Sequence, residues 1–414
     1  MRIHLQDFAG HPFQVHLSRA LAARGHEVLH SYATQYITGH GRLELQADDP
    51  DTLRIEGVTA DSPMVKYSPL GRTRFELRYA TAWRRLLAQN PSDVVVSCNV
   101  PLFTLARMRR YFASTDQRWV LWHQDIFSSA IGDEAERKLP ARAATLTRQA
   151  AVGMERKIVR DAHAVVAISE PFRRRYAEWG LSTGHVQVIS NWAPIDEITP
   201  APRDNDWSAK LPDSALRLLY AGTLGRKHNP LLLVELIDRL RAEDIDANLV
   251  IISEGQGADI IAEATLSNPR VTVLPFQPAS VLPSALASAD VLVGLLEPEA
   301  SQFSVPSKVA SYLAAGRPVL LLAPVENPAA AEVIESGGLV AQPDSLGVAE
   351  SLAWLGDLAA NPARRAEIGH RSRMIAEVRY DINTIADAFE RILAGPGGAQ
   401  VESNACDSEL TNLG

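Results

Sequence analysis

The sequence has few cysteines: only Cys98 and Cys406 occur in its 414 residues. A disulfide framework or a cysteine-ligated zinc site is therefore excluded, and a reducing cytoplasm fits this composition. No apolar run reaches the roughly 18 residues of a membrane-spanning helix. The N-terminus MRIHLQDF does not have the pattern of a signal peptide. We therefore expect a soluble, unexported, cytoplasmic protein.

An excess of positive charge is also missing. Lysine and arginine number 41 against 49 acidic residues, and the formal net charge is −8. A wide electrostatic footprint for nucleic acid is therefore not expected, and any anion site must be local. Hydrophobic residues make up 46% of the chain, which is typical of globular proteins with full cores and excludes the disordered and fibrous classes.

The sequence does contain a repeated alternation of short β-branched runs with helical patterns. This alternation occurs twice and predicts an α/β fold of two doubly wound, Rossmann-like domains whose parallel sheets face a central cleft. A polar, proline-rich stretch separates the two halves. We predict an N-terminal domain at 1–192, a linker at 193–212, a C-terminal domain at 213–380, a final helix at 381–394 that docks elsewhere, and a disordered tail at 395–414.

The first predicted strand is followed by a turn that contains a glycine. Gly10 and His11 lie between this strand and a helix predicted at Phe13 to Arg24. A glycine there allows a ligand to approach the backbone, and the helix N-terminus favours an anionic or polar group. A tight turn without a ligand explains the same residues equally well. The full G-x-G-x-x-G fingerprint is absent, so a nicotinamide or flavin enzyme is not indicated.

Two later strand ends carry polar residues. His123 and Asp125 follow a strand predicted at Trp119 to Trp122, where they could orient a sugar hydroxyl or assist proton transfer. Glu254 and Gly255 follow a strand of the second half, where the glutamate could accept hydrogen bonds from a hydroxylated ligand. A structural histidine and a glutamate at a helix N-terminus are the simpler explanations.

Glycines and basic residues come together at the start of the second half. The turn AGTLGRKH contains Gly222 and Thr223, and Arg226 and Lys227 follow them. Backbone groups and positive charge at such a turn could hold a diphosphate, although a solvated basic turn has the same composition.

The most informative run is FSVPSKVASYLAAGRPVL. Ser304 or Ser307 can cap the helix that follows. Lys308 adds a cation where free N–H groups and the helix dipole already favour phosphate. These residues predict an anion site at a helix N-terminus.

Taken together and in this order, the segments resemble retaining glycosyltransferase family 4, the nucleotide-sugar-dependent enzymes of the GT-B architecture. The resemblance spans nearly all of residues 1 to 394. Its carriers are MRIHLQDFAGHPFQVHLSRALAARGHEV, RDAHAVVAISEPFRRRYAEWG, VQVISNWAPIDEITP, LLYAGTLGRKHNP, IISEGQG and SVPSKVASYLAAGRPVL. The last run is the most specific and resembles a Pro-Ser-Lys subgroup that builds bacterial surface polysaccharides of the exopolysaccharide, colanic-acid and O-antigen types.

The resemblance implies that the C-terminal domain holds a nucleoside-diphosphate sugar and that the N-terminal domain holds a sugar or lipid-linked glycan acceptor. The implied catalytic residues are His123, near the sugar, and Arg226, Lys227 and Lys308, at the diphosphate. The implied donor-binding residues are Gly10, Gly222, Thr223, Glu254, Gly255, Ser304, Val305, Ser307 and Ser311. His11 and Asp125 are assigned to the acceptor and sugar side. The last helix is expected to cross back onto the N-terminal domain.

The sequence departs from the family pattern in a few places. Many members carry a pair of glutamates ahead of an Ala-x-Gly-x-Pro segment, and the second glutamate contacts the nucleotide ribose. Alignment on AAGRP places Phe303 and Ser311 at these positions, so neither glutamate is present. Thr223 stands where many relatives have an arginine, for which Arg226 would compensate.

The predicted activity is the transfer of a sugar from a nucleoside-diphosphate sugar to a hydroxyl, with retention of configuration, in bacterial cell-surface polysaccharide or glycoconjugate biosynthesis. We expect no metal ion and no cofactor, because helix dipoles and basic side chains meet phosphate charge in this fold. Two alternatives are a non-catalytic GT-B protein that binds a nucleotide sugar or a partner, which the substitutions at Phe303 and Ser311 motivate, and a nucleotide-sugar epimerase.

A peripheral contact with the inner membrane is a further expectation. It depends on the stretch Lys66 to Arg85, in which basic residues alternate with Tyr67, Phe75, Tyr79 and Trp83. An ordinary amphipathic surface helix explains this stretch equally well.

Overall fold

The chain folds into two α/β units, each built on one parallel sheet. The computed structural model describes residues 1–36, 38–64, 68–115, 117–224, 229–296 and 307–395, without the side chains of Pro69 and Ser307. Apart from Gly395, the tail predicted to be disordered lies outside the described residues.

The first unit contains a seven-stranded sheet. Its strands are β1 (Arg2–Asp7), β2 (Glu27–Ala33), β3 (Leu53–Val58), β4 (Val94–Cys98), β5 (Arg118–His123), β6 (Ala164–Ala167) and β7 (Val186–Val188). They lie in the order β3-β2-β1-β4-β5-β6-β7, and every neighbouring pair is parallel. The strand order reverses between β1 and β4, so connections leave the sheet in opposite directions there and a crevice opens at the carboxyl ends.

Helices cover this sheet because its central strands are buried on both faces. All five residues of β4 are buried, as expected for a parallel strand between two helical layers. The helices of this unit are α1 (Pro12–Ala23), α2 (Pro69–Gln89), α3 (Leu102–Thr115), α4 (Phe127–Lys138), α5 (Ala141–Asp161) and α6 (Glu170–Glu178).

The second unit contains a six-stranded parallel sheet in the order β10-β9-β8-β11-β12-β13. Its strands are β8 (Leu216–Ala221), β9 (Ala247–Ile252), β10 (Val271–Leu274), β11 (Val291–Leu295), β12 (Val319–Leu322) and β13 (Leu339–Ala341). Its helices are α7 (Leu231–Ala242), α8 (Gln256–Ala264), α9 (Leu282–Ala287), α10 (Ser307–Ala314), α11 (Ala330–Glu335), α12 (Ser345–Ala360) and α13 (Pro362–Arg379). The order again reverses at the first strand, between β8 and β11, so this sheet also has a crevice at its carboxyl edge.

The segment that connects the two sheets has almost no regular structure, and one 3₁₀ turn at Ser208–Lys210 interrupts it. An arginine of α13 holds its first part in place. The Arg373 guanidinium donates to the carbonyls of Ile195 at 3.0 Å and Ile198 at 2.7 Å, and to Ala314 of α10 at 2.9 Å. The connection is therefore tied to the second unit by charge-assisted hydrogen bonds rather than left as a free linker.

The last helix, α14 (Ile382–Ala394), packs on the first unit. Its apolar residues fall on one face, and Phe389 lies 4.7 Å from the ring of Trp122 and 6.2 Å from that of Trp192. Arg24, directly after α1, pairs with Glu390 at 2.7 Å. The chain therefore crosses between the units twice.

Helix α2 carries the described part of the basic and aromatic stretch. Phe75, Tyr79 and Trp83 are all 0% exposed and pack into the core, whereas Arg74 and Arg78 are exposed. The four-residue spacing brings the rings together on the inner face of the helix, which is the arrangement of an ordinary amphipathic surface helix, and the membrane contact stays a prediction. Lys66 and Tyr67 lie outside the described residues.

Within the part of the chain that the structure describes, no helix combines the length and the apolar character that crossing a membrane requires.

Candidate functional site

A cavity of about 330 Å³ lies between the carboxyl edges of the two sheets. Every wall of it comes from residues at or just after strand ends or from the helices and loops that follow. The first unit contributes His11, Pro12, Phe13, Thr38, Gly39, His40, Asn99, Gln124, Asp125, Ile168, Asn191, Trp192 and Pro194. The second contributes Ala221, Gly222, Thr223, Ile252, Phe276, Gln277, Leu282, Leu286, Leu295, Leu296, Lys308, Ser311 and Tyr312.

Two tyrosines fasten helix α10 to the turn after β8. The Tyr312 hydroxyl accepts a hydrogen bond from the Ala221 N–H at 2.9 Å and donates to the Ala221 carbonyl at 3.1 Å. The Tyr220 hydroxyl donates to the Thr223 carbonyl at 3.0 Å. Lys308 donates to the Tyr220 hydroxyl, and its Nζ lies 4.1 Å from the centre of the Tyr220 ring. These contacts hold the ammonium group at the cavity wall.

The charge of Lys308 is not compensated within the described part of the chain. No carboxylate there forms an ion pair with it, and burial lowers the pKa of the ammonium to about 7. A buried cation without a counter-ion favours an anionic ligand, because the ligand restores the charged form of the lysine. This wall of the cavity is therefore suited to phosphate.

Gly222 makes room for the lysine. It adopts a φ of 146°, which favours glycine, and a Cβ there would lie 3.1 Å from both Cε and Nζ of Lys308. A larger residue would push the ammonium group away from the turn. Thr223 and Ser311 also line the cavity, so the structure brings four of the predicted donor-side residues together.

The loop after β1 is built around the buried carboxylate of Asp7. This carboxylate accepts hydrogen bonds from the N–H of Ala9 at 3.1 Å and from that of His11 at 2.7 Å. Burial raises the pKa of Asp7 to about 7, although these hydrogen bonds act in the opposite direction. Because Asp7 uses these N–H groups, the start of α1 is a poor cradle for phosphate.

Gly10 lies in a closely packed turn, and its contact with the donor stays a prediction. Gly10 has a φ of 71°, and a Cβ there would lie 2.8 Å from a methyl carbon of Leu43 and 3.4 Å from the ring of His40. Close packing of the loop between β2 and β3 therefore explains this glycine, and Gly10 does not line the cavity. His11 does line it, and burial lowers the pKa of its ring to about 4, so the ring is neutral near pH 7.

His123 lies just behind the cavity wall. Its side chain is only 2% exposed and is not among the residues that line the cavity. Nδ1 lies 2.6 Å from the Tyr176 hydroxyl, and Nε2 lies 3.2 Å from the carboxylate of Glu155. Both ring nitrogens thus have protein partners, and the catalytic role of His123 near the sugar stays a prediction.

Glu155 connects His123 to the start of α4. Its two carboxylate oxygens accept the N–H groups of Phe127 at 2.8 Å and Ser128 at 3.0 Å, which begin α4. A negative charge at a helix N-terminus is favourable. Glu155 thus fixes both ends of the segment that carries Gln124 and Asp125 to the cavity.

Glu254 and Gly255 occupy a turn outside the cavity lining. Glu254 is exposed, and its carboxylate accepts the N–H of Phe276 at 3.0 Å. Gly255, directly before α8, has a φ of 93°. Glu254 thus holds the backbone of Phe276, which does line the cavity. Its contact with the nucleotide base stays a prediction.

Several predicted residues belong to two stretches that the structure does not describe, 225–228 and 297–306. Arg226, Lys227, Ser304 and Val305 lie outside the described residues, and so does the side chain of Ser307, whose backbone begins α10. Phe303, one of the two positions of the missing glutamates, also lies there.

The prediction missed amide and aromatic residues at the cavity. Gln124 and Asn191 form two reciprocal amide hydrogen bonds of 3.0 and 2.8 Å. Asn99 adopts a φ of 55° directly after β4, a conformation that non-glycine residues seldom take. Trp192 stacks on Trp122, with ring centres 5.5 Å apart. The sequence could have indicated three of these residues, because each closely follows a predicted strand: Asn99, Gln124 and Asn191.

Metal-binding side chains are not clustered in the described part of the chain: no group of three or more His, Cys, Asp or Glu residues there could hold an ion.

Comparison with protein families identifies both units. The family described as "Glycosyl transferase 4-like domain" matches residues 11–192, and "Glycosyl transferases group 1" matches residues 215–357. Together the two matches cover most of the chain and include residues at both walls of the cavity.

One curated relative is the putative colanic acid biosynthesis glycosyl transferase WcaI of Escherichia coli (strain K12). It is 27% identical over 177 residues, which are 41% of this chain and 42% of that protein. The match therefore spans less than half of the length of this curated relative.

Solved structures show the same fold across nearly the whole chain. Sucrose-phosphate synthase from Thermosynechococcus elongatus has a TM-score of 0.69 at 16% identity, covering 94% of this chain and 97% of that one. Anabaena HepE in complex with UDP-glucose has a TM-score of 0.65 at 16% identity, with 95% and 99% covered. WaaG, a glycosyltransferase involved in lipopolysaccharide biosynthesis, has a TM-score of 0.64 at 14% identity, with 94% and 99% covered.

These likenesses confirm the predicted fold class of two Rossmann-like units with parallel sheets. The chain belongs to the glycosyltransferases of the GT-B type, with a glycosyl transferase 4-like domain followed by a group 1 domain.

Proposed function

We propose that this protein transfers a sugar from a nucleoside-diphosphate sugar to a hydroxyl acceptor, with retention of anomeric configuration. The observation that supports this most directly is Lys308, a half-buried lysine at the wall of the interdomain cavity without a carboxylate partner in the described part of the chain. A diphosphate supplies the missing negative charge. When the diphosphate leaves the sugar, negative charge develops on it, and a positive side chain nearby stabilises that charge.

The donor belongs on the side of the second unit. Lys308, Gly222 and Thr223 lie together there, and Arg226 and Lys227 follow Thr223 closely in sequence. On the opposite wall, Asp7 already uses N–H groups at the start of α1. HepE is described with UDP and with UDP-glucose, so uridine nucleotides are the first donors to test.

In the proposed reaction, the bond between the anomeric carbon and the diphosphate oxygen breaks while the acceptor oxygen bonds to the same face of that carbon. The acceptor proton passes to the departing diphosphate. Lys308 stabilises the negative charge that develops on the leaving group, and a metal ion is not required because protein cations take that role. We propose that His123 acts indirectly: together with Glu155 it holds the segment that carries Gln124 and Asp125 to the cavity.

The process that we propose is bacterial cell-surface polysaccharide or glycoconjugate synthesis, which the named role of WcaI supports. For a lipid-linked acceptor, we propose that the exposed arginines of α2 contact anionic lipid on the cytoplasmic face of the membrane. Replacing Arg74, Arg78 and Arg84 with serine should then reduce co-sedimentation with liposomes that contain phosphatidylglycerol. Equal sedimentation of both proteins would refute the membrane contact.

The donor site is tested by thermal shift with UDP, GDP, ADP, CMP and dTDP and their sugars, with and without EDTA. A ligand that binds the native state raises its melting temperature. We expect one nucleoside diphosphate to stabilise the wild type equally with EDTA, and Lys308→Met to respond less. NMR of the product then reads the anomeric configuration. Binding without transfer to any acceptor would favour the non-catalytic alternative, and an inverted product would exclude retention.

A further inference from the structure

The second half of the segment that connects the two sheets lies behind one wall of the cavity. Asn205 and Trp207 reach from this segment to the loop and the helix that follow β10. That loop contributes Phe276 and Gln277 to the cavity wall, and helix α9 contributes two leucines. The connecting segment is therefore a second layer of protein behind this wall.

The amide of Gln277 has an orientation that its two partners fix. The indole Nε1 of Trp207 donates to Gln277 Oε1 at 3.0 Å, and Gln277 Nε2 donates to the Pro275 carbonyl at 2.9 Å. An indole N–H can only donate and a carbonyl oxygen can only accept, so the reverse orientation of the amide would lose both hydrogen bonds. Trp207 therefore helps to determine where the Gln277 side chain stands at the cavity.

A turn around Asn205 holds Trp207 in place. Asn205 Oδ1 accepts the N–H groups of Trp207 at 3.0 Å and Ser208 at 3.1 Å. Its Nδ2 donates to the carbonyls of Pro202 at 3.0 Å and Ser284 at 3.1 Å. The side-chain amide thereby makes the four hydrogen bonds of which it is capable. Because Ser284 belongs to α9, this asparagine also joins the turn to the helix that follows the loop.

Trp207 itself is half-buried and is not among the residues that line the cavity. Its ring packs against the hydrophobic core, as do the side chains of Leu274 in β10 and Leu282 in α9. A ligand in the cavity is within reach of Gln277 rather than of Trp207. Any effect of Trp207 on a ligand must therefore pass through the loop that it holds.

The wall that carries Phe276 is suited to the flat part of a nucleotide. The second unit also lines the cavity with Ile252, Leu282 and Leu286. Aromatic and aliphatic side chains pack against a planar base. Lys308, on the same unit, meets phosphate charge instead. A nucleoside diphosphate therefore finds a suitable partner for each of its ends.

We propose that Trp207 is a positioning residue for the donor: its indole N–H holds Gln277, and with it the loop from Pro275 to Leu282, where the loop contacts the nucleotide base. The inference rests on the proposed function, since the base belongs to the nucleoside-diphosphate sugar. Trp207 lies between the two matched domains, which span residues 11–192 and 215–357. A part in donor binding thus falls to the segment that joins them.

The experiment measures the Kd values of UDP, GDP, ADP and CDP for the full chain by calorimetry. Trp207→Phe keeps an aromatic ring at this position but removes the N–H donor. We expect it to weaken binding of the preferred nucleotide about two- to tenfold, the worth of one hydrogen bond. Because the four ligands differ only in the base, the differences between their Kd values should also narrow.

Trp354→Phe is the matched control. Trp354 is a half-buried tryptophan of α12, in the same unit, and is not among the residues that line the cavity. This substitution should leave all four Kd values unchanged.

A double-mutant cycle tests whether Trp207 acts through Gln277. Gln277→Leu removes the acceptor of the indole N–H, so the double variant should bind the nucleotide no more weakly than Gln277→Leu alone. In steady-state transfer, Trp207→Phe should raise the KM for the donor and leave kcat unchanged, because it alters binding rather than the chemical step.

Wild-type affinity in Trp207→Phe would overturn the inference. So would equal weakening for all four nucleotides, or additive effects of the two substitutions in the double variant. If none of the four nucleotides binds to the wild type, the proposed function itself fails, and this inference fails with it.

Discussion

Replacing Lys308 with arginine should remove a pH dependence that the wild-type protein shows in nucleotide binding. Burial lowers the pKa of Lys308 from 10.5 to about 7 in the free protein. The lysine is then about half protonated at pH 7 and about 1% protonated at pH 9. A bound diphosphate favours the ammonium form and returns the pKa towards its ordinary value. Above pH 7, binding must therefore take up a proton.

The size of the effect follows from this proton uptake. The Kd for the nucleoside diphosphate should rise about fivefold between pH 7 and 8 and about 50-fold, or by about 2.3 kcal/mol, between pH 7 and 9. Arginine remains charged over this range, so Lys308→Arg should show a flat dependence. Lys308→Met should also be flat, with affinity lower at pH 7 by about 1.5–3 kcal/mol, the worth of a charged hydrogen bond.

Isothermal titration calorimetry from pH 7 to 9, in two buffers with different ionisation enthalpies, measures both quantities. The wild type should take up about half a proton at pH 7 and nearly one at pH 8. Equal slopes for wild type and Lys308→Arg, or binding without proton uptake, would refute the reasoning.

The same lysine sets a stability trend in the free protein. Its pKa is lower when folded than when unfolded, so the folded state binds fewer protons between pH 7 and 10.5. The contribution of Lys308 to the free energy of unfolding therefore becomes more favourable as pH rises through this window. Lys308→Met should remove that contribution, which urea denaturation at several pH values would show.

Three further changes test the packing around the site. Glu155→Gln should lower the free energy of unfolding by about 1–3 kcal/mol, since an amide supplies only one acceptor oxygen for α4; denaturation with an unchanged midpoint would contradict this. Phe389→Ala should cost about 3–5 kcal/mol by leaving a cavity beside Trp122, and Phe389→Leu should cost less in the same urea titration. Gly222→Ala should weaken nucleotide binding in calorimetry through contact with Lys308, and equal affinity would contradict the proposed crowding.

Much of the fold could be predicted from the sequence because it depends on local pattern. The alternation of apolar strands with helices is a short-range property, and it indicated both sheets. Strand β3 was missed because the sequence analysis looked for short β-branched runs, whereas Leu53–Val58 alternates apolar residues with Arg54 and Glu56. This alternation is typical of a half-buried strand at the edge of a sheet.

Residues of the candidate site could be predicted only where a suitable residue type stands at the start of a helix or the end of a strand. Lys308 and Gly222 stand at a helix start and a strand end, and both line the cavity. His123 also ends a strand, but its direction depends on Glu155, 32 positions later in the chain. The sequence analysis did not pair these residues because their contact is created by the packing of β5 against α5.

The return of α14 to the first unit has a consequence for synthesis of the protein on the ribosome. The surface around Trp122 and Trp192 emerges early, but Phe389, which covers it, is made only after the whole second unit. At a translation rate of about 5–20 residues per second, this surface stays uncovered for on the order of ten seconds or more before Phe389 is synthesised. During that interval the nascent chain exposes aromatic surface, so the first unit reaches its final form only when translation is nearly complete.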